Sequence, residues 1–265
     1  MATRAATRAL RWPVPFCPWG SRWKWTGCSR SLPDAYAHRG LWSHEGPPEN
    51  SMASFEAAAT AGVGVELDIQ LSKDGVPVVF HDPMLDRMTD ASGPVWEKTA
   101  EELDALRLTG TDEPIPRLSD VARMLPAGMP VLVELKPTPG DPEEYLRAVD
   151  LALFGVAIDA SIMSFTAGIN KAARVVMPQR RRGLLVPPSS PAIARGPADV
   201  VDTAASLDID YLAVPFGMIT AFAGEPECRY PLYAWTVDTD QALATVADAA
   251  AAVIFEHLDP ALVSR

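Results

Sequence analysis

The chain has 265 residues, 48% of them hydrophobic and 22% charged, with 25 prolines and a formal net charge of −11. That length suits one large α/β unit with a single core, and the composition excludes a disordered or fibrous chain. Residues 1–33 hold six Lys or Arg and no acid, so the remainder carries −17, which argues against nucleic-acid binding but not against a small anion whose charge is offset locally.

The first 33 residues contain Trp12, Trp19, Trp23 and Trp25. Pro13, Pro15, Pro18 and Gly20 interrupt any apolar core that a secretory signal would need. The expectation is an N-terminal extension outside the core, with weak membrane-surface contact as an alternative for its basic and aromatic residues. Cys17, Cys28 and Cys228 give no disulfide framework and no CxxC knuckle. They read as free thiols in a reducing cytoplasm. No run approaches the ~20 apolar residues of a membrane span.

Pattern begins at Ala35-Tyr36-Ala37, a short strand that delivers His38. Asn50 or Ser51 caps a helix from Met52 to Ala61, and Gly62 and Gly64 end it. From Val65 to Leu71 the apolar residues Val65, Leu67, Ile69 and Leu71 alternate with Glu66, Asp68 and Gln70, which is the period of a strand. Asp74-Gly75 signals a two-residue hairpin into a strand from Val76 to Phe80. With Lys73 paired to Val76, the register sets His81 directly across from Asp68.

Residues 83–116 read as a polar insertion with one short helix near Ala100–Leu106. A helix opens at Ser119-Asp120. Strand and helix then alternate: strands at 131–135, 161–165, 183–186, 211–214, 232–237 and 253–255, and helices at 142–153, 167–176, 198–206 and 241–251. Pro187 to Pro191 reads as a surface loop. With the hairpin as an excursion from the second strand, the strand count is eight, the number of a (β/α)8 TIM barrel over residues 34–265.

In such a barrel, chemistry sits at the C-terminal ends of the strands. His38, Glu66, Asp68 and Glu134 end three adjacent strands. Glu66 and Asp68 share a face and would repel each other without a cation. Exposed acids on an edge strand are the plainer reading for that pair alone. Glu134 lies in the apolar run Val131–Leu135, where a lone acid is costly, and Lys136 offers it a merely structural ion pair. Three carboxylates without cysteine favour a hard divalent ion, Mg²⁺ or Ca²⁺. His38 and His81 beside that cluster suit a general acid and a general base, although either could ligate the metal. Arg39 can fork a phosphate oxygen or make a surface salt bridge. Lys136 can face charge developing on phosphate. His44 lies in a loop without a role, and His257 is near enough to the last strand to reach the pocket.

His38-Arg39-Gly40, Pro48-Glu49-Asn50-Ser51, Glu66-Leu67-Asp68, Asp74-Gly75 with Phe80-His81-Asp82, and Glu134-Leu135-Lys136 follow one another in the order that resembles the glycerophosphodiester phosphodiesterase family. Ser164-Phe165 and Trp235-Thr236-Val237-Asp238 match later landmarks of that family, so the likeness runs from about residue 36 to 260. The resemblance implies a TIM barrel with a small insertion after the second strand. It implies a divalent metal on Glu66, Asp68 and Glu134, and an acid-base pair of His38 and His81. It sets Arg39, Lys136, Glu49 and Trp235 on the substrate side. The implied reaction turns a small glycerophosphodiester into sn-glycerol 3-phosphate and an alcohol. A lysophospholipase D or sphingomyelinase D-like activity, and a non-catalytic phosphodiester-binding module, are the alternatives. One departure stands out: where the family often ends its last strand with Thr-Asp before a proline, this chain has Phe255-Glu256-His257-Leu258-Asp259-Pro260.

Overall fold

A computed structural model describes residues 34–189 and 195–263. The N-terminal extension, its suggested membrane contact, Cys17, Cys28 and part of the Pro187–Pro191 loop lie outside the described residues.

Nine strands form one sheet: β1 Asp34–Ala37, β2 Gly64–Leu71, β3 Pro77–Val79, β4 Pro130–Leu135, β5 Asp159–Ser164, β6 Arg182–Leu185, β7 Tyr211–Pro215, β8 Leu232–Val237 and β9 Ala252–Phe255. The order is β1-β9-β8-β7-β6-β5-β4-β2-β3, and β1 also pairs with β2. Eight parallel strands therefore close on themselves, while β3 hangs antiparallel from β2. This is the TIM barrel expected from the alternation.

Helices follow most strands: α1 Met52–Ala61, α2 Ala100–Asp104, α3 Leu118–Met124, α4 Pro142–Ala152, α5 Ala167–Val176, α6 Pro197–Leu207, α7 Ile219–Ala223, α8 Asp240–Val246 and α9 Pro260–Val263. The sequence did not announce α7 and α9, which are too short to show helical periodicity. In α1, Ser51 accepts the Ser54 N–H and Ser54 reaches back to the Ser51 N–H, a capping box. In α4, Asp141 caps, Pro142 opens the first turn, and Tyr145, Leu146 and Val149 bury one face.

Strand alternation divides the interior into two regions. Val65, Leu67 and Ile69 face outward into the core beneath the helices. Tyr36, Leu132, Met163, Tyr211, Tyr233 and Ile254 fill the barrel interior. Tyr233 stacks on both Tyr36 and Tyr211, with ring centroids 6.0 and 4.3 Å apart. Gly64 and Gly183 make room for these rings. A Cβ on Gly64 would lie 2.7 Å from Tyr36, and one on Gly183 2.3 Å from Tyr211. Among the described residues, no helix is long and apolar enough to cross a membrane.

The hairpin corrects one expectation. Ile69 pairs with Val79, Gln70 with Val78 and Leu71 with Pro77, so Asp68 stands opposite Phe80 rather than His81. The loop has three residues, not two. Ser72 N–H donates to Val76 O, Ser72 Oγ accepts the Val76 N–H, and Gly75 takes the left-handed conformation at φ 78°. That is the three-residue hairpin geometry. The rest of the chain imposes it: Lys73 N–H donates to Lys98 O at 2.7 Å, and Asp74 accepts the Ala100 N–H at 2.8 Å. The segment 83–116 is also less polar in effect than it reads, since Leu85, Val95, Leu103, Leu108 and Ile115 pack with Val78 and Phe80 in a small core of their own.

Gly183→Ala should cost about 1–3 kcal/mol by overpacking, measured by denaturant unfolding. The cost should largely vanish in a Tyr211→Leu background. Equal costs in both backgrounds would show that the ring does not need the space.

Candidate active site

Glu66, Asp68 and Glu134 are buried, and each offers an oxygen such that the three lie within 4.8 Å of one another. The parallel register sets Asp68 beside Glu134, with Glu66 two residues deeper along β2. The motifs read in the sequence are the fittings of this cluster. Asn50 donates to Asp68 Oδ2 at 2.8 Å and accepts the Asp68 N–H at 3.3 Å. Arg39, left-handed at φ 57°, turns its backbone N–H onto Glu66 Oε2 at 3.1 Å. Gly40 lies so close to Ser54 that a Cβ would meet its Oγ at 2.3 Å. Lys136 Nζ lies 2.8 Å from Asp68 and 2.5 Å from Glu134, so the ion pair anticipated for Glu134 is present. Tyr145 OH and the Lys136 N–H both donate to Ile69 O, which stiffens the end of β2.

Both histidines have a carboxylate on Nδ1. His38 Nδ1 lies 2.6 Å from Glu256 Oε1, and its Nε2 lies 3.8 Å from Glu66. His81 Nδ1 lies 2.7 Å from Asp82. Although the register differs from expectation, β3 ends at Val79. Beyond it Gln70 donates to the carbonyls of His81 and Asp82, and the imidazole lines the same cavity as the carboxylates. That cavity is about 430 Å³ and is lined by His38, Arg39, Trp42, Glu49, Glu66, His81, Glu134, Lys136, Met163, Phe165, Leu185, Trp235, Thr236, Ile254 and Glu256. Asp68 lies behind this wall.

Sequence reasoning gave no role to Arg87, Gln70, Asp82 or Glu256, although Asp82 and Glu256 lie in stretches it quoted. Arg87 comes from the insertion, forks Glu49 at 2.6 and 2.9 Å and donates to Asp82 at 2.5 Å. Glu49 also accepts from Arg39 at 3.0 Å. Trp235 spends its indole N–H on Ala213 O and shows the cavity only ring surface. His257 does not reach the cavity. It is left-handed at φ 55°, packs edge-on against Trp42 and stacks on His44.

Charge is unevenly shared. Burial, and then the charges of Asp68 and Glu134, push Glu66 well up. Burial, and then Asp68, push Glu134 up to about 7 against Lys136. Burial also opposes ionisation of Asp68, but Lys136, His81 and Arg39 outweigh it and hold its carboxyl low. His81 is lowered, by burial first and then by Lys136 and Arg39, against the pull of Asp68 and Asp82. Glu256 is lowered because its hydrogen bond to His38, with the charges of His38 and Arg39, outweighs burial. Glu66 Oε1 is buried without a hydrogen-bond partner. An orphaned carboxylate oxygen in an all-carboxylate cluster fits a hard divalent cation, with Glu66, Asp68 and Glu134 as the residues to hold it.

The chain matches the glycerophosphoryl diester phosphodiesterase family over residues 38–258. It is 43% identical over 100 residues to glycerophosphodiester phosphodiesterase 1 of Mus musculus, a match covering 34% of this chain and 30% of the mouse protein. The human counterpart is 39% identical over 112 residues, covering 38% and 33%. The chain thus spans about a third of the length of these curated relatives. An Oleispira antarctica phosphodiesterase, solved with the product sn-glycerol-3-phosphate, superposes with a TM-score of 0.74 at 27% identity, over 84% of this chain and 93% of that one. A glycerophosphodiester phosphodiesterase from Agrobacterium tumefaciens gives 0.70 over 88% and 100%, and at 23% identity it is a likeness of fold.

The raised Glu134 carboxyl has a consequence for stability. The folded state keeps this proton up to about pH 7, against an ordinary value of 4.5. Its stabilising contribution is therefore full below that ordinary value and is lost as pH rises through about 7. In chelator, Glu134→Gln should show a flatter fall of melting temperature than the parent between about pH 5 and 8. Parallel curves would remove Glu134 as the titrating group.

Proposed function

Because this chain belongs to the glycerophosphoryl diester phosphodiesterase family, we propose that it hydrolyses small glycerophosphodiesters to sn-glycerol 3-phosphate and an alcohol, with a divalent cation and two histidines. The observation that carries this reading is the gathering of three buried carboxylates within 4.8 Å of one another, two of them, Glu66 and Glu134, lining a cavity that both imidazoles also line. Glu66, Asp68 and Glu134 would hold Mg²⁺ or Ca²⁺, which when bound polarises a phosphoryl oxygen and offsets carboxylate charge.

The protein's own groups do the rest. Each imidazole has its Nδ1 side occupied by a carboxylate, so Nε2 is the atom left to exchange protons. One Nε2 takes the proton from the attacking water or glycerol hydroxyl, and the other gives a proton to the leaving alcohol oxygen. Lys136 and Arg39 bring positive charge to the cavity wall beside the phosphate. Glu49, gripped by Arg87, keeps the Arg39 guanidinium in place. The Trp235 ring gives the carbon skeleton an apolar wall. We place the protein in the cytoplasm, since three widely spaced cysteines offer no disulfide framework.

His38→Ala and His81→Ala should each lower glycerol 3-phosphate release from glycerophosphocholine by about 10²–10⁴-fold. Glu66→Ala and EDTA should abolish it, with Mg²⁺ or Ca²⁺ restoring the EDTA-treated enzyme. Near-normal turnover in a correctly folded His38→Ala or Glu66→Ala chain would refute the assignment. Faster turnover of lysophosphatidylcholine would move the substrate to lipids, and metal-independent binding without product would leave only a binding module.

A further inference from the structure

The final residue of the barrel's inner face is an acid whose partner lies at the other end of the chain. Along β9, Ile254 points inward and Phe255 outward, so alternation turns Glu256 inward again. Its backbone N–H is fixed on Val237 O at 3.1 Å. The left-handed His257 then turns the chain away. Because β9 and β1 are hydrogen-bonded neighbours, this delivers Glu256 Oε1 to 2.6 Å from His38 Nδ1. An ionised carboxylate has no proton to give, so Nδ1–H is the donor and the neutral ring keeps an unprotonated Nε2. That Nε2 faces Glu66 at 3.8 Å. The two imidazoles are not equivalently served: Asp82 divides its charge between His81 and Arg87, whereas the interaction that holds Glu256 is with His38.

We infer that Glu256 is a positioning residue that locks the His38 ring, by its orientation and its Nδ1-protonated tautomer, with Nε2 aimed at the carboxylate cluster. The inference rests on the reading of His38 as a proton carrier and adds the group that makes it one.

The test combines turnover with ¹⁵N NMR of histidine-labelled full-length protein. E256A should lower kcat for glycerophosphocholine about 10–100-fold, with KM changed by no more than about twofold. E256Q keeps an acceptor oxygen and should recover most of kcat. At a pH where the ring is neutral, His38 Nε2 should give an unprotonated resonance in the parent and in E256Q, and a changed one in E256A. If E256A fails to fold, E256L keeps the bulk and replaces it. An unchanged kcat or an unchanged ring signal in E256A overturns the inference, while H38A still without activity leaves the hydrolase reading standing. A parent with no turnover of any diester overturns that reading instead, and the NMR comparison then decides Glu256 alone.

Discussion

Mutual repulsion among three buried carboxylates governs the rest of this site. At 4.8 Å, two unit charges repel by about 3–4 kcal/mol at an effective dielectric of about 20. Glu66, Asp68 and Glu134 therefore cannot all stay ionised in the barrel mouth unless something answers them. Lys136 answers two of the three, the Asn50 amide donates to one oxygen of Asp68, and the Arg39 N–H donates to one oxygen of Glu66. The other Glu66 oxygen is left over. Counting Glu49, Asp82 and Glu256, six acids meet three fixed cations, Arg39, Arg87 and Lys136. Such an excess suits a divalent ion better than another side chain, and once offset it ceases to repel a phosphate.

The surrounding architecture keeps these charges from relaxing away from one another. Groups on strand ends are placed by the barrel, while Arg39 and Asn50 are placed by left-handed turns that Gly40 and the cap of α1 sustain. Ser164 Oγ donates to Leu135 O, and Asn170 donates to Ser164 O, so the ends of β4 and β5 are pinned as well. The insertion contributes one decisive side chain, Arg87, whose position depends on the small core around Leu85 and Leu103. Ordered supports of this kind hold catalytic groups ready before a ligand arrives.

Much of this was legible in the sequence because it follows local periodicity. Alternation in Val65–Leu71 put Glu66 and Asp68 on one face, and the apolar run around Glu134 marked a third strand end. The register of β3 was not legible, since Lys98 and Ala100, some 25 residues on, set the length of its loop. Arg87 sat in a segment without periodicity, and its partners Glu49 and Asp82 meet it only in three dimensions. Glu256 carried a usable signal: it continues the inward series of Ala252 and Ile254, just as Glu134 ends its own strand. The neighbouring His257 drew attention instead, and its left-handed backbone sends it out to Trp42.

The tyrosines below the carboxylates have a last consequence. Tyr36, Tyr211 and Tyr233, stacked in the space that Gly64 and Gly183 leave open, cork the barrel from beneath. Among the described residues, Leu132, Met163 and Ile254 fill the axis around them. A ligand of the cavity above them would therefore come and go on the carboxylate side of that plug.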